Sequence, residues 1–213
     1  AKNADWKWIS ANLNKALCIF VLSQDFKNEL IRRGIKSDIH LTSTKVPDYF
    51  ISGFDLSMRQ GKAENIMYSG RIEKAKGVYE TVDTFSILKS QYKDLTLTFV
   101  GDGSELPMLK QYVENKKIKD VRFTGELRGE DFKKEYINAD MYLFLSYTEG
   151  MPTVVLEAMI FGLPIFTRKV GGLIDFFENG KMGYISSSLD PAVFAEAMKP
   201  YIENPAKMRS VSI

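Results

Sequence analysis

Among its 213 residues the chain has one cysteine, Cys18, and one histidine, His40. A lone cysteine cannot close an internal disulfide, which excludes the stapled scaffolds of secreted proteins. Long apolar runs are missing too. Residues 16–22 are far short of the roughly 20 needed to span a membrane, and 158–166 are interrupted by Gly162 and Pro164. Charge of one sign is absent: 29 basic against 27 acidic residues leave +2, too even for nucleic-acid binding on charge alone. No repeat period, low-complexity tract or Asp-x-Asp motif occurs. The first five residues lack the basic segment and apolar run of a leader, and the start on Ala1 is read as processing or trimming. The expectation is a cytoplasmic chain with at most peripheral contact with the inner face of a membrane. What is present is ordinary for a globular protein: 45% hydrophobic and 26% charged residues, enough to bury about 70% of the unfolded surface without staples.

Short β-branched runs alternate with longer amphipathic stretches. Residues 16–23 read as a buried strand with Cys18 in its core, 25–33 as a helix ended by Gly34, and 38–42 as a second strand. Trp6, Ile9, Leu13 and Leu17 fall near helical spacing ahead of them. Residues 44–62 carry Pro47, Gly53 and Gly61 with no sustained period, which is linker chemistry. The expected division is therefore 1–46, a linker at 47–64, and a second unit at 65–213. There, strands are predicted at 65–69, 95–100, 121–124, 141–146 and 164–167. Helices are predicted at 78–92, 106–115, 131–138, 153–161 and 191–203, with a shorter one near 173–177. Lys116, Lys117, Lys133 and Lys134 are expected on solvated helix faces. The alternation implies an α/β fold, a parallel sheet covered by helices on both faces. Such sheets bind ligands beyond the carboxyl ends of their strands, which directs attention to the loops there.

The loop after 65–69 puts Gly70, Arg71 and Lys76 just before a helix. A guanidinium fork and a compact ammonium there suit a phosphate anion, although two solvated cations would read the same way. Gly101-Asp102-Gly103 opens like a dinucleotide fingerprint, but Leu106 stands at the third glycine and no acidic residue ends the next strand, so a tight turn is the better reading. Glu126, Leu127 and Arg128 end the following strand; their backbone could meet a base edge and Arg128 could stack on it, or they form a plain turn.

The strongest element runs from Tyr147 to Met159. Gly150 permits close backbone approach and Pro152 suits the start of a helix. The free amides at Thr153 and Val154 lie at the positive end of the helix dipole, a site for a diphosphate. Met151 sits between. Glu149 and Glu157 would repel phosphate and are better read as acceptors for sugar hydroxyls. Glu157 lies among apolar neighbours and needs a partner. Gly171 and Gly172 suit either ligand approach or a turn.

In this order and spacing the motifs make the chain similar to the retaining nucleotide-sugar glycosyltransferases of family 4, which have the GT-B fold. The resemblance spans about 16–205. It implies a Rossmann-like donor-binding half at 65–213 and the end of the acceptor-side half at 1–46. It further implies that Arg71 and Lys76 bind the donor diphosphate, that Glu149 holds the donor sugar and that Glu157 holds the ribose. Gly70 and Gly150 to Val154 would line the sugar and phosphate, and Glu126, Leu127 and Arg128 would lie near the base. No cofactor and no metal is implied, and the acceptor would be a growing or lipid-linked glycan. Relatives commonly carry Phe-Gly where Met151-Pro152 stands and Pro-Glu where Ile174-Asp175 stands. His40 does not match the family's catalytic histidine and is read as structural. The fragment alone is expected to be inactive. A nucleotide-sugar binding module without transfer activity and a nucleotide-sugar epimerase of the same fold are the alternatives.

Overall fold

The computed structural model describes residues 3–59 and 63–211. Gly61 of the expected linker, the two residues at each end of the chain, Gln60 and Lys62 lie outside them.

The chain begins with helix α1 (Asn3–Leu13), strand β1 (Cys18–Val21), helix α2 (Gln24–Arg32) and strand β2 (Asp38–Leu41), with β1 and β2 paired in parallel. Ser23 caps α2 by accepting a hydrogen bond from the Phe26 amide at 3.2 Å, and Gly34 follows at φ +84°. Val21, Leu30, Ile35 and Ile39 form a small core, closed by Trp6, Leu13 and Ile19. Strand alternation turns Ile19 and Val21 inward, so Cys18 and Phe20 point out. Cys18 is therefore exposed, contrary to its expected place in a core.

The stretch read as a linker contains a one-turn helix α3 (Asp48–Ile51) and a 3-10 turn at Leu56–Met58. It is packed against the second unit. Phe50 is buried against the rings of Phe132, Tyr136 and Phe161 at 5.3–5.7 Å between centroids. Arg59 donates to the carbonyls of Tyr136, Ile137, Ala139 and Phe161. Lys133, expected on a solvated face, is buried beneath this segment and donates to the Ser52 carbonyl.

The second unit follows as β3 (Asn65–Ser69), α4 (Val78–Gln91), β4 (Thr96–Val100), α5 (Leu106–Asn115), β5 (Val121–Phe123) and α6 (Gly129–Asn138). It continues as β6 (Met141–Phe144), α7 (Thr153–Ile160), β7 (Ile165–Arg168), β8 (Gly183–Ser186), α8 (Pro191–Glu203) and α9 (Pro205–Arg209). The six strands are parallel in the order β5-β4-β3-β6-β7-β8. Helix α4 packs on α5 and α8, while α6 and α7 pack on β3, β6 and β7. β8 was not expected. It opens on Gly183 at φ +125°, where a Cβ would meet the Ile165 carbonyl oxygen at 2.1 Å, so its first residue carries no strand signature. The helix expected near 173–177 is a 3-10 turn over Gly171–Asp175.

Chain direction across the sheet reverses between β3 and β6. The helices that follow them, α4 and α7, pack on different partners, and the crevice at such a reversal lies beyond the strand ends. The loops carrying Arg71 and Glu149 flank it.

Candidate functional site

The loop after β3 is fixed by its backbone. Tyr68 donates from its hydroxyl to the Arg71 carbonyl at 2.8 Å, and the Ile72 amide donates to the Asp102 carbonyl at 2.8 Å. Ile72 is fully buried. Gly101 and Gly103 serve this packing: a Cβ on either would meet the carbonyl of Gly70 at 2.0 Å or of Ile72 at 2.4 Å. The Gly-Asp-Gly turn thus supports the neighbouring loop. From that base the Arg71 side chain projects 70% exposed, held among the described residues by Glu73 at 2.8 Å. Gly77 ends the loop at φ +67°, with the Leu145 carbonyl oxygen where a Cβ would otherwise stand.

The loop after β6 lies directly against it. The Tyr147 amide and the Ser146 hydroxyl both donate to the Ala75 carbonyl, at 2.9 and 3.3 Å. This brings Lys76 to Glu149, Nζ to Oε1 at 2.7 Å, with both side chains less than a fifth exposed. The pair answers the objection to a carboxylate beside an anion site, since Lys76 offsets the charge of Glu149. Helix α7 starts at Thr153, with Pro152 as its extended N-cap residue at φ −74° and ψ 99°. The amides of Val155 and Leu156 turn back to the Pro152 carbonyl, while those of Thr153 and Val154 find no acceptor among the described residues.

Glu157 is half-buried on α7. Its Oε2 accepts from the Tyr136 hydroxyl at 2.8 Å, and that hydroxyl also lies 2.8 Å from Ser69 Oγ, which in turn meets the Tyr142 hydroxyl at 2.8 Å. Burial pushes the Glu157 carboxyl above its ordinary pKa, and the Tyr136 hydroxyl offsets part of that rise. Tyr136 and Ser69 escaped sequence reasoning, because a tyrosine and a serine at core positions read as packing.

Two adjoining hollows result, sharing Gly70, Arg71 and Val154. One, of about 290 Å³, is walled by Lys76, Glu149, Met151, Pro152 and Thr153. The other, of about 340 Å³, is walled by Gly101, Asp102, Glu126, Leu127 and Phe132. Three expected site residues do not line either. Arg128 is 86% exposed and paired with Glu126 at 2.7 Å. Gly150 faces Leu22 of the first unit and accepts from the Gly172 amide at 2.8 Å. Glu157 is held by Tyr136. A hollow of about 570 Å³ lies at residues 91–95 beside Ile202 and Pro205, at the start of β4 and so at the opposite end of the sheet.

Gly171 and Gly172, read as open to a ligand or a turn, pack loop on loop. A Cβ there would meet the carbonyl of Gly150 at 2.1 Å or of Leu22 at 2.2 Å. Asp175 accepts from the Gln24 amide at 2.8 Å, which ties α2 to the second unit. Among the described residues no three His, Cys, Asp or Glu side chains form a set able to hold a metal ion, and no helix is long and apolar enough to cross a membrane.

With this geometry in place, comparison with known proteins is decisive for the family. The family model described as glycosyl transferases group 1 matches residues 57–212. The chain belongs to that family. Among curated relatives, a glycogen synthase of Mycobacterium tuberculosis is 30% identical over 149 residues, 70% of this chain and 36% of its own length. The capsular polysaccharide biosynthesis glycosyltransferase CapM of Staphylococcus aureus is 30% identical over 147 residues, 65% of this chain and 37% of its own. The chain thus spans little more than a third of these relatives. Two solved structures share the fold. Anabaena Alr3699/HepE, in complex with UDP and glucose, superposes with a TM-score of 0.83 at 20% identity, covering 99% of this chain and 60% of that one. The pneumococcal O-GlcNAc transferase GtfA, in complex with UDP and GlcNAc, gives 0.78 at 22%, covering 98% and 43%. The parallel sheet of this group 1 family member is the Rossmann-like sheet of the GT-B fold.

Proposed function

We propose that the chain is the donor-binding part of a retaining family 4 glycosyltransferase, with 65–213 as the donor unit, 47–64 as the connection and 1–46 as the end of the acceptor-side half. One observation carries this reading. At the point where the sheet reverses direction, an exposed Arg71, a Lys76–Glu149 pair and the two free amides of α7 surround one hollow. Cations and amides suit a diphosphate, and the carboxylate suits a sugar hydroxyl. UDP and a sugar occupy the structures of similar fold named above, which supports a nucleoside diphosphate sugar as the donor.

In the proposed reaction the bond from the sugar's anomeric carbon to the diphosphate oxygen breaks. An acceptor hydroxyl forms the new bond on the same face, and its proton passes to the departing diphosphate. Arg71, Lys76 and the α7 amides stabilise the charge that develops on that diphosphate, without a metal. Glu149 holds the sugar, and Glu157, which lines neither hollow, reaches the ribose with the carboxylate oxygen that Tyr136 does not engage, while Glu126 and Leu127 of the loop at 126–128 meet the base. The acceptor is a growing or lipid-linked glycan, in keeping with relatives named for capsular and teichuronic acid synthesis. Any membrane contact is peripheral. The 213 residues alone are expected to bind donor without transferring sugar, because holding the acceptor in place supplies much of the rate.

A crystal structure with UDP tests the assignment. The account expects the phosphates between Arg71, Lys76 and the amides of Thr153 and Val154. Phosphates seated elsewhere, such as the hollow at 91–95, would refute it.

A further inference from the structure

Arg168 ends β7 only 3% exposed, and among the described residues no carboxylate lies within ion-pair distance of it. Buried arginines ordinarily sit with a counter-ion, so its partners need an account. Its guanidinium is spent on three backbone carbonyls. Nη1 donates to Leu145 at 2.9 Å, Nε to Ser188 at 3.2 Å and Nη2 to Leu189 at 3.4 Å. Its face lies 4.2 Å from the centre of the Tyr147 ring, within cation–π distance.

Tyr147 is clamped at its other end as well. Its hydroxyl donates to Glu80 Oε1 in the first turn of α4, the helix that follows the Arg71–Lys76 loop. The second oxygen of that carboxylate is buried with no hydrogen-bond partner among the described residues. An orphaned carboxylate oxygen is costly, and the positive end of α4 offsets part of that cost. Glu80 and Arg168 are thus two charges bridged by one tyrosine. Tyr147 stands two residues before Glu149, and its amide is held by the Ala75 carbonyl beside Lys76.

We propose that Arg168 is a positioning residue: by stacking on Tyr147 and holding the Leu145 carbonyl, it fixes the loop at 145–149 and so sets Glu149 against Lys76. The consequence for the donor rests on the reading of Glu149 as the sugar's partner. The brace itself does not, since it is a property of the unliganded loop. In sequence Tyr147 is only the first residue of the 147–159 element, and Arg168 belongs to no motif.

The test combines amide hydrogen exchange on the ligand-free chain with titration of UDP and UDP-glucose. Tyr147→Leu removes the ring at a position that is 45% exposed and leaves the core intact. It is expected to speed exchange at 146–150 about tenfold, with β3, β6 and β7 unchanged. It is also expected to weaken UDP-glucose about tenfold while leaving UDP within about twofold. Tyr147→Phe keeps the ring over Arg168 but gives up the bond to Glu80, and its effect on each measure is expected to fall between those of the parent and of Tyr147→Leu. Arg168→Lys keeps the charge without the fork and is expected to behave as Tyr147→Leu does; should it fail to fold, Tyr147→Leu decides alone. Unchanged exchange at 146–150 in Tyr147→Leu, or exchange raised equally across the sheet, overturns the brace. Equal loss of UDP and UDP-glucose overturns its action through Glu149. A parent chain that binds neither nucleotide counts against the donor reading only, and exchange then decides the brace.

Discussion

Lys76 and Glu149 are 73 residues apart in sequence and 2.7 Å apart in space, joined across the crevice where the sheet reverses direction. Each belongs to a loop that leaves the carboxyl end of a central strand, β3 or β6. The pair neutralises a carboxylate that would otherwise repel a phosphate. It also places a cation and a hydroxyl acceptor side by side, as a molecule with a diphosphate next to a sugar requires.

The two cations differ in what their removal costs. Arg71 is exposed, so Arg71→Ala is expected to leave stability unchanged and to weaken UDP binding by about 1.5–3 kcal/mol. Lys76→Ala strands a largely buried Glu149. It is expected to lower the unfolding free energy by about 1–3 kcal/mol as well as to weaken binding. Urea unfolding of both variants checks this. Equal stability of the two would show that the pair contributes nothing to the fold.

The glutamates divide their roles between ribose and sugar. Glu157→Gln is expected to weaken UDP itself, and Glu149→Gln to weaken UDP-glucose while sparing UDP. Titration of both ligands into both variants decides the matter. Equal effects of the two changes on UDP would contradict the division.

Burial holds the Glu157 carboxyl above the ordinary glutamate pKa. A carboxyl with a raised native pKa binds its proton more tightly in the folded chain than in the unfolded one. Its contribution to stability therefore falls as pH rises from the ordinary value through the raised one, and returns on acidification across that window. Glu157→Gln removes the titration and keeps an acceptor for Tyr136. The variant is expected to be the more stable protein at neutral pH and to lose that advantage as pH falls through the window. Unfolding curves at several pH values measure it, and an advantage that grows on acidification would contradict the assignment.

Asp175 caps α2 from the opposite unit through the Gln24 amide. Asp175→Ala is expected to cost about 1 kcal/mol and to speed exchange at the start of α2, whereas Asp175→Asn retains an acceptor and most of the cap. If exchange at 24–26 is the same in all three proteins, the contact does not hold the units together.

What was legible in the sequence follows from what strands and loops require of it. Five strands of the large sheet are apolar runs ended by Gly or polar residues, so their positions read directly, and with them the loops that carry Arg71 and Glu149. β8 was hidden because an edge strand needs little apolar sequence and this one opens on glycine. The segment at 48–59 looked like a linker because a one-turn helix has no period; its attachment depends on Phe50 and Arg59 meeting residues about 80 to 110 positions away. Gly171 and Gly172 showed that backbones approach closely, but not that the neighbours are Gly150 and Leu22. The links from Glu157 through Tyr136 to Ser69 join three elements, and nothing local announces them.

The central claim is that Arg71, Lys76 and the amino end of α7 neutralise a nucleoside diphosphate between them. Calorimetric titration of UDP in the presence of EDTA, into the parent chain and into Arg71→Ala, tests it most directly. The account predicts binding that persists in the chelator and weakens at least about tenfold in the variant. Binding that appears only on adding Mg²⁺ or Mn²⁺, or that is the same in both proteins, would contradict it.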